Sequence, residues 1–291
     1  MVKNSIILEI EKLLDNKKIL DYNILSDSFG INCLKIETDD KDRYIVKYYY
    51  KKESRFNAIK SEADNILFLN SHKFNFFPKI INNNNKFLIM SFIDNNNNLP
   101  IKTNDDLLGA IISLHSKRSN NYGFNFDTQI GGLKQSNSNS KNWVDFYGDK
   151  RLHYIFDLIN KKQPMDMAIN TKIELLLKKI DNFIPNKPKP SLLHGDLWEG
   201  NILFKNKKFS GFIDPGSFYG HNELEVSYLR WFNPKFIDRN FLDKYNDHIS
   251  IDKYFLNYEP IYQLYYSLLN VYLWDRGYIE NVRGLLDKIK I

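Results

Sequence analysis

The sequence predicts an α+β protein of two lobes, a small N-terminal lobe built on an antiparallel sheet and a larger, mainly helical C-terminal lobe. Short runs rich in Ile, Val, Tyr and Phe, separated by turn residues, occupy the first third of the chain. Longer apolar periods of helical spacing follow after Ile93. We therefore expect a first lobe at residues 1–93 and a second at residues 94–291.

The first lobe opens with a helical apolar period that runs from Ile6 to Leu14 and predicts an amphipathic helix. Three runs typical of antiparallel strands follow, at residues 33–37, 44–49 and 87–93. A helix is predicted between the second and third of them, at residues 55–69. Two asparagine runs, at residues 82–85 and 95–98, predict loops because their side chains compete with regular backbone hydrogen bonds.

The second lobe reads as a series of helices. Their predicted ranges are residues 105–114, 143–158, 171–184, 223–231 and 260–272. Pro185, Pro188 and Pro190 end the third of these helices and predict an extended entry into residues 191–193.

Composition excludes several classes of protein. The 291 residues carry 41 Lys+Arg and 35 Asp+Glu, so the net charge of +6 favours an anionic ligand only weakly. A hydrophobic content of 43% with 26% charged residues is typical of a folded globular chain. The one cysteine, Cys33, excludes an internal disulfide and a cysteine-rich zinc site, and we expect a reducing, cytoplasmic environment.

No membrane or nucleic-acid partner is expected. Charged residues interrupt the first apolar segment, which argues against a signal peptide, and residues 261–274 are too short and too polar for a membrane span. The aromatic residues of that segment are not interleaved with basic ones, as a nucleic-acid surface would require. The histidines lack metal-ligand spacing, and His115 is expected to be a helix-terminal residue.

The segment His194–Asn201, which reads HGDLWEGN, carries the clearest chemistry. Asp196 and Asn201 lie five residues apart, and Asp214 follows thirteen residues later. Apolar runs at residues 202–204 and 209–213 predict a hairpin that returns Asp214 to the side of Asn201. Phosphoryl transfer needs hard oxygen ligands for Mg²⁺ and a carboxylate to orient the attacking hydroxyl, and these three residues supply that set.

This pattern resembles the catalytic loop and metal-binding Asp of the protein-kinase-like phosphotransferases. The resemblance implies a bilobal protein-kinase-like fold, ATP and Mg²⁺ as cofactors, Asp196 as the base, and Asn201 and Asp214 as the Mg²⁺ ligands. Trp198 stands two residues after the base, which suggests a small-molecule or sugar acceptor.

A kinase-like first lobe should contain a strand lysine paired with a helix glutamate, so that the lysine faces the α and β phosphates. Lys47 at the end of its strand run and Glu62 on the following helix fit this requirement. The alternatives for the lysine, Lys51 and Lys52, lie past the strand and are expected to face solvent.

The remaining nucleotide contacts are predicted from position. Residues 26–31 take the place of the phosphate-covering loop, where only Gly30 lets the backbone approach a phosphate closely. Ser91 and Ile93, at the end of the strand that leads into the interlobe hinge, are the expected adenine contacts.

Further motifs are similar to those of the fructosamine kinase (ketosamine-3-kinase) family. They are Tyr122-Gly123-Phe124, Ile130-Gly131-Gly132, Gln135, Asn137, Trp143, Phe146, Arg151-Leu152, the LLHGDLW-x-GN element at 192–201, Ile213-Asp214-Pro215, Tyr219-Gly220-His221 and Glu223. The chain departs from that family's pattern at Glu199, at Gly216 and at Glu225, where an Asp is usual. Glu225 is longer by one methylene, which leaves its role in tethering the catalytic loop open.

The resemblance implies ATP-dependent phosphorylation of the 3-hydroxyl of a ketosamine, the sugar adduct left by glycation of a lysine or another amine. Phosphate on O3 is a leaving group beside the ketone, so elimination can release the amine and deglycate a protein. Trp198 and His221 are candidates for the substrate wall, although Trp198 could pack the loop and His221 could bond a backbone carbonyl. Two other functions stay open: a kinase of aminoglycosides, choline or similar hydroxyl compounds, and a pseudokinase that binds a nucleotide or partner without catalysis.

Overall fold

The computed structural model describes residues 2–51 and 55–290, which form two compact units. The first unit contains the residues up to Asn98 together with Thr128–Lys134 and Ile202–Pro215. The second contains Leu99–Asp127, Gln135–Asn201 and the residues from Gly216 onward. Two segments that lie far beyond residue 93 in the sequence are therefore part of the first unit.

A five-stranded antiparallel sheet forms the centre of the first unit. Its strands are β1 (Ile19–Ser28), β2 (Ile31–Thr38), β3 (Arg43–Tyr49), β4 (Ile80–Asn83) and β5 (Phe87–Ser91), in the spatial order β1-β2-β3-β5-β4. The three strands predicted from the sequence are confirmed, although the last ends at Ser91 instead of Ile93. Strands β1 and β4 were not predicted.

The loop prediction for residues 82–85 is wrong in its first half, because Asn82 and Asn83 belong to the edge strand β4. Asn82 pairs with Ile89 in the sheet, and its side-chain amide donates to the carbonyl of Leu13 at 2.9 Å. The second asparagine run, at residues 95–98, lies outside helices and strands as predicted. Tertiary hydrogen bonds thus stabilise in a strand a residue type that local propensity assigns to loops.

Two helices cover opposite faces of this sheet. Helix α1 (Asn4–Leu13) packs with the face that carries Val46 and Ile89, and helix α2 (Ala58–Ser71) packs with the face that carries Ile45 and Leu88. Alternate residues of a strand point to opposite faces, so neighbours such as Ile45 and Val46 serve different helices. Lys47 shares the face of Ile45 and therefore points toward α2.

The predicted hairpin after Asn201 is confirmed. Strands β9 (Ile202–Lys205) and β10 (Lys208–Phe212) pair antiparallel, and Ile202 lies opposite Phe212. Asn206 and Lys207 form the turn with φ values of 51° and 67°, the left-handed geometry that matches the twist of the flanking strands. A short pair of strands, β6 (Thr128–Ile130) and β7 (Leu133–Gln135), precedes this hairpin in the chain.

The second unit is mainly helical. Its elements are α3 (Asp105–His115), α4 (Trp143–Tyr147), α5 (Tyr154–Lys162), α6 (Met167–Lys178), β8 (Ser191–Leu193), β11 (Phe218–Gly220), α7 (Asn222–Trp231), α8 (Arg239–His248), α9 (Phe255–Leu273) and α10 (Ile279–Lys288). A π-helical stretch, Gly148–His153, joins α4 to α5 where one helix was predicted. Helices α8 and α10 were not predicted, and β8 pairs antiparallel with β11. Across residues 2–51 and 55–290, none of the helices combines the length and apolarity of a bilayer crossing.

Phe212 anchors the segment that leads to Asp214. Its side chain is fully buried, with ring centroids 4.8 Å from Phe209 and 5.4 Å from Phe76. We expect Phe212→Ala to lower the free energy of unfolding by about 3–5 kcal/mol, because the cavity is added to the lost apolar transfer energy. Leu67→Ala on the exposed side of α2 is the control, and we expect it to change stability by less than about 0.5 kcal/mol. Urea denaturation measures both, and equal losses would contradict the packing role of Phe212.

Candidate active site

The first unit holds a buried lysine between two carboxylates. The Nζ atom of Lys47 lies 2.7 Å from Oε1 and 2.9 Å from Oε2 of Glu62 on α2, and 2.7 Å from Oδ1 of Asp214. Lys47 comes from the centre of the sheet and Glu62 from the helix that packs on the same face. The structure therefore brings together the predicted pair and adds Asp214 to it.

The charged groups of this cluster shift one another's pKa values. Burial lowers the pKa of Lys47, but the charges of Asp214 and Glu62 outweigh burial and raise that pKa well above its usual value. Lys47 is therefore a cation. Burial, together with the charge of Asp214, raises the pKa of Glu62 although Lys47 opposes that shift. Two carboxylates thus share one ammonium group. A ligand that binds Asp214 would therefore change the charge balance of the cluster.

Asp214 has the backbone and exposure expected of a functional residue. Its φ is +56°, in the left-handed region that a non-glycine residue enters at an energetic cost, and its side chain is 39% exposed. Of the alternatives to Lys47, Lys51 is exposed, and Lys52 lies outside the described residues.

Gly30 sits in a tight turn between β1 and β2. Its φ is +72°, and a Cβ atom added to it would lie 1.8 Å from the carbonyl oxygen of Lys51, so only glycine fits. The predicted phosphate-covering loop at 26–31 is wrong in extent, because Ser26, Ser28 and Ile31 belong to strands. Only Phe29 and Gly30 form the turn.

The two expected adenine contacts, Ser91 and Ile93, form hydrogen bonds within the first unit. Ser91 donates its amide to the carbonyl of Lys79 at 2.8 Å, and its hydroxyl accepts from the Lys79 amide at 2.9 Å. The carbonyl of Ile93 accepts from the side-chain amide of Asn95 at 2.9 Å. These bonds fix the strand end, and the role of both residues toward adenine stays a prediction.

Hydrogen bonds within the HGDLWEGN loop of the second unit hold its conformation. The side-chain amide of Asn201 donates to the carbonyl of Asp196 at 2.7 Å, and the amide of Asp196 donates to Nδ1 of His194 at 3.3 Å. The side-chain nitrogen of Asn201 is used in this hydrogen bond, and its carbonyl oxygen Oδ1 is an atom of the type that binds a cation. Burial raises the pKa of Tyr228, and the nearby Asp196 carboxylate raises it further, so a neutral hydroxyl faces the expected base.

A fully buried carboxylate tethers this loop. Oε1 of Glu225 accepts from the amide of Gly195 at 2.7 Å, and Oε2 accepts from the amide of His194 at 3.0 Å. Glu225 therefore reaches the loop in spite of its extra methylene. Oε2 also lies 2.8 Å from Nε2 of His115, which makes His115 an interior hydrogen-bonding residue as well as the last residue of α3. Sequence reasoning missed this pair, and a histidine ending an apolar helix was the available signal.

Gly195 allows the loop to touch the segment that follows Pro215. Its φ is +87°, and a Cβ atom would lie 2.1 Å from the carbonyl oxygen of Gly216. The amide of Gly216 donates to the carbonyl of His194 at 2.9 Å, and its carbonyl accepts from Nε2 of Gln135 at 3.3 Å. The backbone of the loop is thus fixed from two sides.

The two candidates for the substrate wall have different surroundings. Trp198 is 38% exposed and packs against Phe232, which is 43% exposed, at a centroid distance of 5.8 Å. His221 is buried, and its Nδ1 lies 2.8 Å from the hydroxyl of Tyr262. Burial, followed by the charge of Arg118, lowers the pKa of His221 to about 3, so it is a neutral core residue. The expectation that His221 lines a substrate wall is therefore corrected to a structural role.

The polar motif residues around position 150 also serve the core. Arg151 is fully buried, with its guanidinium 4.8 Å from the ring centroid of Phe146 and 4.1 Å from that of Phe218. Its nitrogens donate to the carbonyl of Ser136 at 2.9 Å and to Oδ1 of Asn137 at 2.6 Å. Burial lowers the pKa of Arg151, and these contacts replace part of the hydration that the guanidinium loses.

The fructosamine kinase family model matches residues 10–291 of the chain. The chain belongs to the fructosamine kinase family. This match covers both the lysine cluster of the first unit and the HGDLWEGN loop of the second.

Individual relatives agree with the fructosamine kinase assignment. The chain is 32% identical over 186 residues to the probable ketoamine kinase of Enterococcus faecium, an alignment that covers 62% of this chain and 65% of that protein. It is 32% identical over 210 residues to the chloroplastic protein-ribulosamine 3-kinase of Arabidopsis thaliana, covering 69% of this chain and 61% of that protein. The chain thus spans less than two thirds of the length of these two relatives.

The fold of this fructosamine kinase family member is also that of solved structures. A Thermobifida fusca protein assigned as a fructosamine-3-kinase superimposes with a TM-score of 0.85 over 99% of both chains, at 20% identity. The bilobal, protein-kinase-like α+β class predicted from the sequence is confirmed.

The left-handed backbone at Gly195 makes a direct prediction for stability. We expect Gly195→Ala to lower the free energy of unfolding by about 1–3 kcal/mol, because the new Cβ meets backbone and the positive φ is strained. Gly109→Ala in α3 is the matched control, since nothing lies within 4 Å of its Cβ position. We expect that control to gain about 0.5–1 kcal/mol from helix propensity. Urea denaturation measures both, and a neutral Gly195→Ala would refute the contact with Gly216.

The raised pKa of Glu223 predicts how the stability of the protein depends on pH. It is 1% exposed, accepts from the amide of Asp252 at 2.6 Å and from the hydroxyl of Tyr258, and burial raises its pKa to about 6. A raised carboxyl pKa means that its stabilising contribution is complete below its ordinary pKa of 4.5 and is lost as pH rises through about 6.

Glu223→Gln cannot ionise at this position. Between pH 4 and pH 7 we expect its free energy of unfolding to rise by about 2 kcal/mol relative to that of the wild-type protein. Equilibrium unfolding at each pH measures the difference. A stability difference that stays constant with pH would show that Glu223 titrates normally.

Proposed function

We propose that this protein transfers the γ-phosphoryl group of ATP to the 3-hydroxyl of a ketosamine, the adduct that a sugar forms with a lysine side chain or another amine. The observation that carries the proposal is the buried Lys47 ammonium, held within 2.7 Å of both Glu62 and Asp214 in a chain of the fructosamine kinase family. The ribulosamine kinase among the relatives supports the choice of acceptor.

Each proposed role follows from the chemistry of the side chain. Lys47, fixed as a cation by Glu62, is suited to the α and β phosphates of ATP. Asp196 is the proposed base and accepts the proton of the acceptor hydroxyl as the O3–phosphorus bond forms and the bond to ADP breaks. Glu225 orients the backbone beside Asp196, so the base is held before the substrate binds.

Asn201 and Asp214 would hold Mg²⁺. The free Oδ1 of Asn201 and the half-exposed carboxylate of Asp214 are hard oxygen donors, which fit this cation. When bound, Mg²⁺ neutralises charge on the nucleotide phosphates. Asp214 would then exchange its bond to Lys47 for the cation and leave Lys47 to Glu62 and the phosphates.

The acceptor is a polyol on an amine, and an exposed aromatic ring suits its C–H faces better than a deep apolar pocket does. Trp198 is exposed, adjoins Phe232 and stands two residues after Asp196, which supports its proposed place on the substrate wall. Gly30, Ser91 and Ile93 remain the proposed nucleotide contacts. The 3-phosphate product sheds its sugar and returns the free amine, so the activity amounts to deglycation in a compartment that keeps Cys33 reduced.

The proposal is tested with lysine peptides glycated by ribose or by glucose, incubated with Mg²⁺ and ATP. We expect mass spectrometry to detect one added phosphate, followed by the peptide with its amine regenerated. Choline and aminoglycosides are assayed in parallel by ATP consumption. Phosphorylation of only those compounds, or binding of Mg-ATP without any product, would contradict the proposal.

The role of Asp196 is tested in the same assay. We expect Asp196→Asn to lower turnover by about 10²–10⁴, the usual contribution of a positioned base, while calorimetry shows ATP binding within about twofold of wild type. Asp247→Asn, on the exposed side of α8, is the matched control and should keep full turnover. Unchanged turnover in Asp196→Asn would exclude it as the base.

A further inference from the structure

Residues 93–98, which we call the hinge segment, follow β5 and run along the β9–β10 hairpin within the first unit. The backbone amide of Asn96 donates to the carbonyl of Phe204 in β9 at 3.0 Å. The amide of Lys207, in the turn of the hairpin, donates to the carbonyl of Asn98 at 3.0 Å. The asparagine run predicted as a loop is therefore hydrogen-bonded to the hairpin along its length.

The side chain of Asn96 adds a second set of hydrogen bonds. Its Nδ2 donates to Oδ1 of Asn206 at 2.7 Å, and its Oδ1 accepts from the backbone amide of Asn206 at 3.0 Å. The same Oδ1 accepts from the amide of Asn98 at 3.2 Å. An asparagine side chain has one donor group and one acceptor atom, and Asn96 uses both to join the hairpin turn to the hinge segment.

Contacts on either side of Asn95 support this junction. The carboxylate of Asp94 accepts a hydrogen bond from Nζ of Lys205 at the end of β9 and lies 3.7 Å from a guanidinium nitrogen of Arg43. The hydrogen bond from Lys205 lowers the pKa of Asp94, so this carboxylate stays ionised at neutral pH. A Cβ atom added to Gly211 of β10 would lie 2.9 Å from Cδ1 of Ile93, so that side chain lies directly against the backbone of the hairpin.

The hairpin leads directly to Asp214. Strand β10 ends at Phe212, two residues before Asp214, and the Phe212 amide donates to the carbonyl of Phe76 at 2.8 Å. Asp214 is therefore held by its bond to Lys47 and also by the backbone that leads into it. When Asp214 exchanges Lys47 for the cation, as proposed above, the bonds between the hairpin and the hinge segment do not depend on Lys47 and still fix its position.

We propose that Asn96 is a positioning residue for nucleotide binding, which holds the hairpin and with it Asp214 at a set distance from the hinge segment. This role rests on the proposed function, since Ile93 of the hinge segment is a proposed adenine contact and Asp214 is the proposed cation ligand. Adenine and the phosphates that bind the cation lie at opposite ends of ATP. Both ends bind together only when the protein holds their two contacts at a matching separation, and a junction formed before binding reduces the entropy that binding costs.

The positioning role is tested by calorimetry with two ligands, ATP in the presence of Mg²⁺ and adenosine, which has no phosphates and makes no demand on Asp214. We expect Asn96→Ala to raise the Kd for Mg-ATP about three- to tenfold, the effect of losing one net hydrogen bond. The Kd for adenosine should stay within about twofold of wild type. Asn85→Ala, in the exposed turn between β4 and β5, is the matched control and should change neither Kd.

Two variants of Asn206 test the side-chain bond from the other side. Asn206 has a φ of 51°, which glycine and aspartate both accept in a turn. Asn206→Gly loses the acceptor of Asn96 Nδ2, and we expect it to weaken Mg-ATP binding as Asn96→Ala does. Asn206→Asp keeps an acceptor oxygen and should bind Mg-ATP within about twofold of wild type. Asn96→Ala combined with Asn206→Gly should bind it no more weakly than Asn96→Ala alone, since the bond is already absent.

Amide hydrogen exchange in the nucleotide-free protein separates this role from general destabilisation. In Asn96→Ala we expect faster exchange at the amides of Asn206 and Lys207, while the amides of β2 exchange as in wild type. An unchanged Kd for Mg-ATP in Asn96→Ala, equal losses of affinity for Mg-ATP and adenosine, or unchanged exchange at Asn206 would overturn the proposal. A wild-type protein that binds neither ligand would refute the proposed function and with it the role of Asn96 in nucleotide binding, whereas exchange would still report the junction itself.

Discussion

In each unit, a charged side chain persists away from water only because partners at hydrogen-bonding distance replace its hydration. Lys47 has Glu62 and Asp214 as its partners in the first unit, and Glu225 has two backbone amides and His115 in the second. Loss of all the partners of either group would leave a buried charge uncompensated. The requirement therefore fixes the groups from which the proposed chemistry is built.

Backbone geometry imposes the second constraint. Gly195 lies so close to the carbonyl of Gly216 that no side chain fits, and Gly30 lies equally close to the carbonyl of Lys51. Asp214 accepts a left-handed φ although it carries a side chain. Such strain persists only where the surroundings hold it, and it concentrates at functional sites. In this protein it falls on the segments that carry the proposed base, phosphate loop and cation ligand.

The aromatic residues of the second unit divide into exposed rings, which suit the proposed substrate wall, and buried rings, which stabilise the core. Trp198 and Phe232 leave ring surface exposed beside the HGDLWEGN loop, which suits the proposed acceptor. His221, Trp143 and Tyr262 form a buried hydrogen-bonded group, with Nε1 of Trp143 donating to the Tyr262 hydroxyl at 2.8 Å. Residues of the family's motifs thus divide between the surface and the core, and their spacing alone does not tell which of them are buried.

The sequence by itself determined the α+β class, the central strands, the β9–β10 hairpin and the pairing of Lys47 with Glu62. The first three follow from local periodicity and turn chemistry. The pairing of Lys47 with Glu62 follows from the resemblance of the HGDLWEGN segment to a kinase catalytic loop, which implies such a pair in the first lobe. Only the tertiary structure decided that Asn82 lies in a strand, that His221 is buried, and that His115 holds Glu225 across 110 residues. Those outcomes depend on which distant groups supply hydrogen bonds after folding, and local periodicity does not specify these partners.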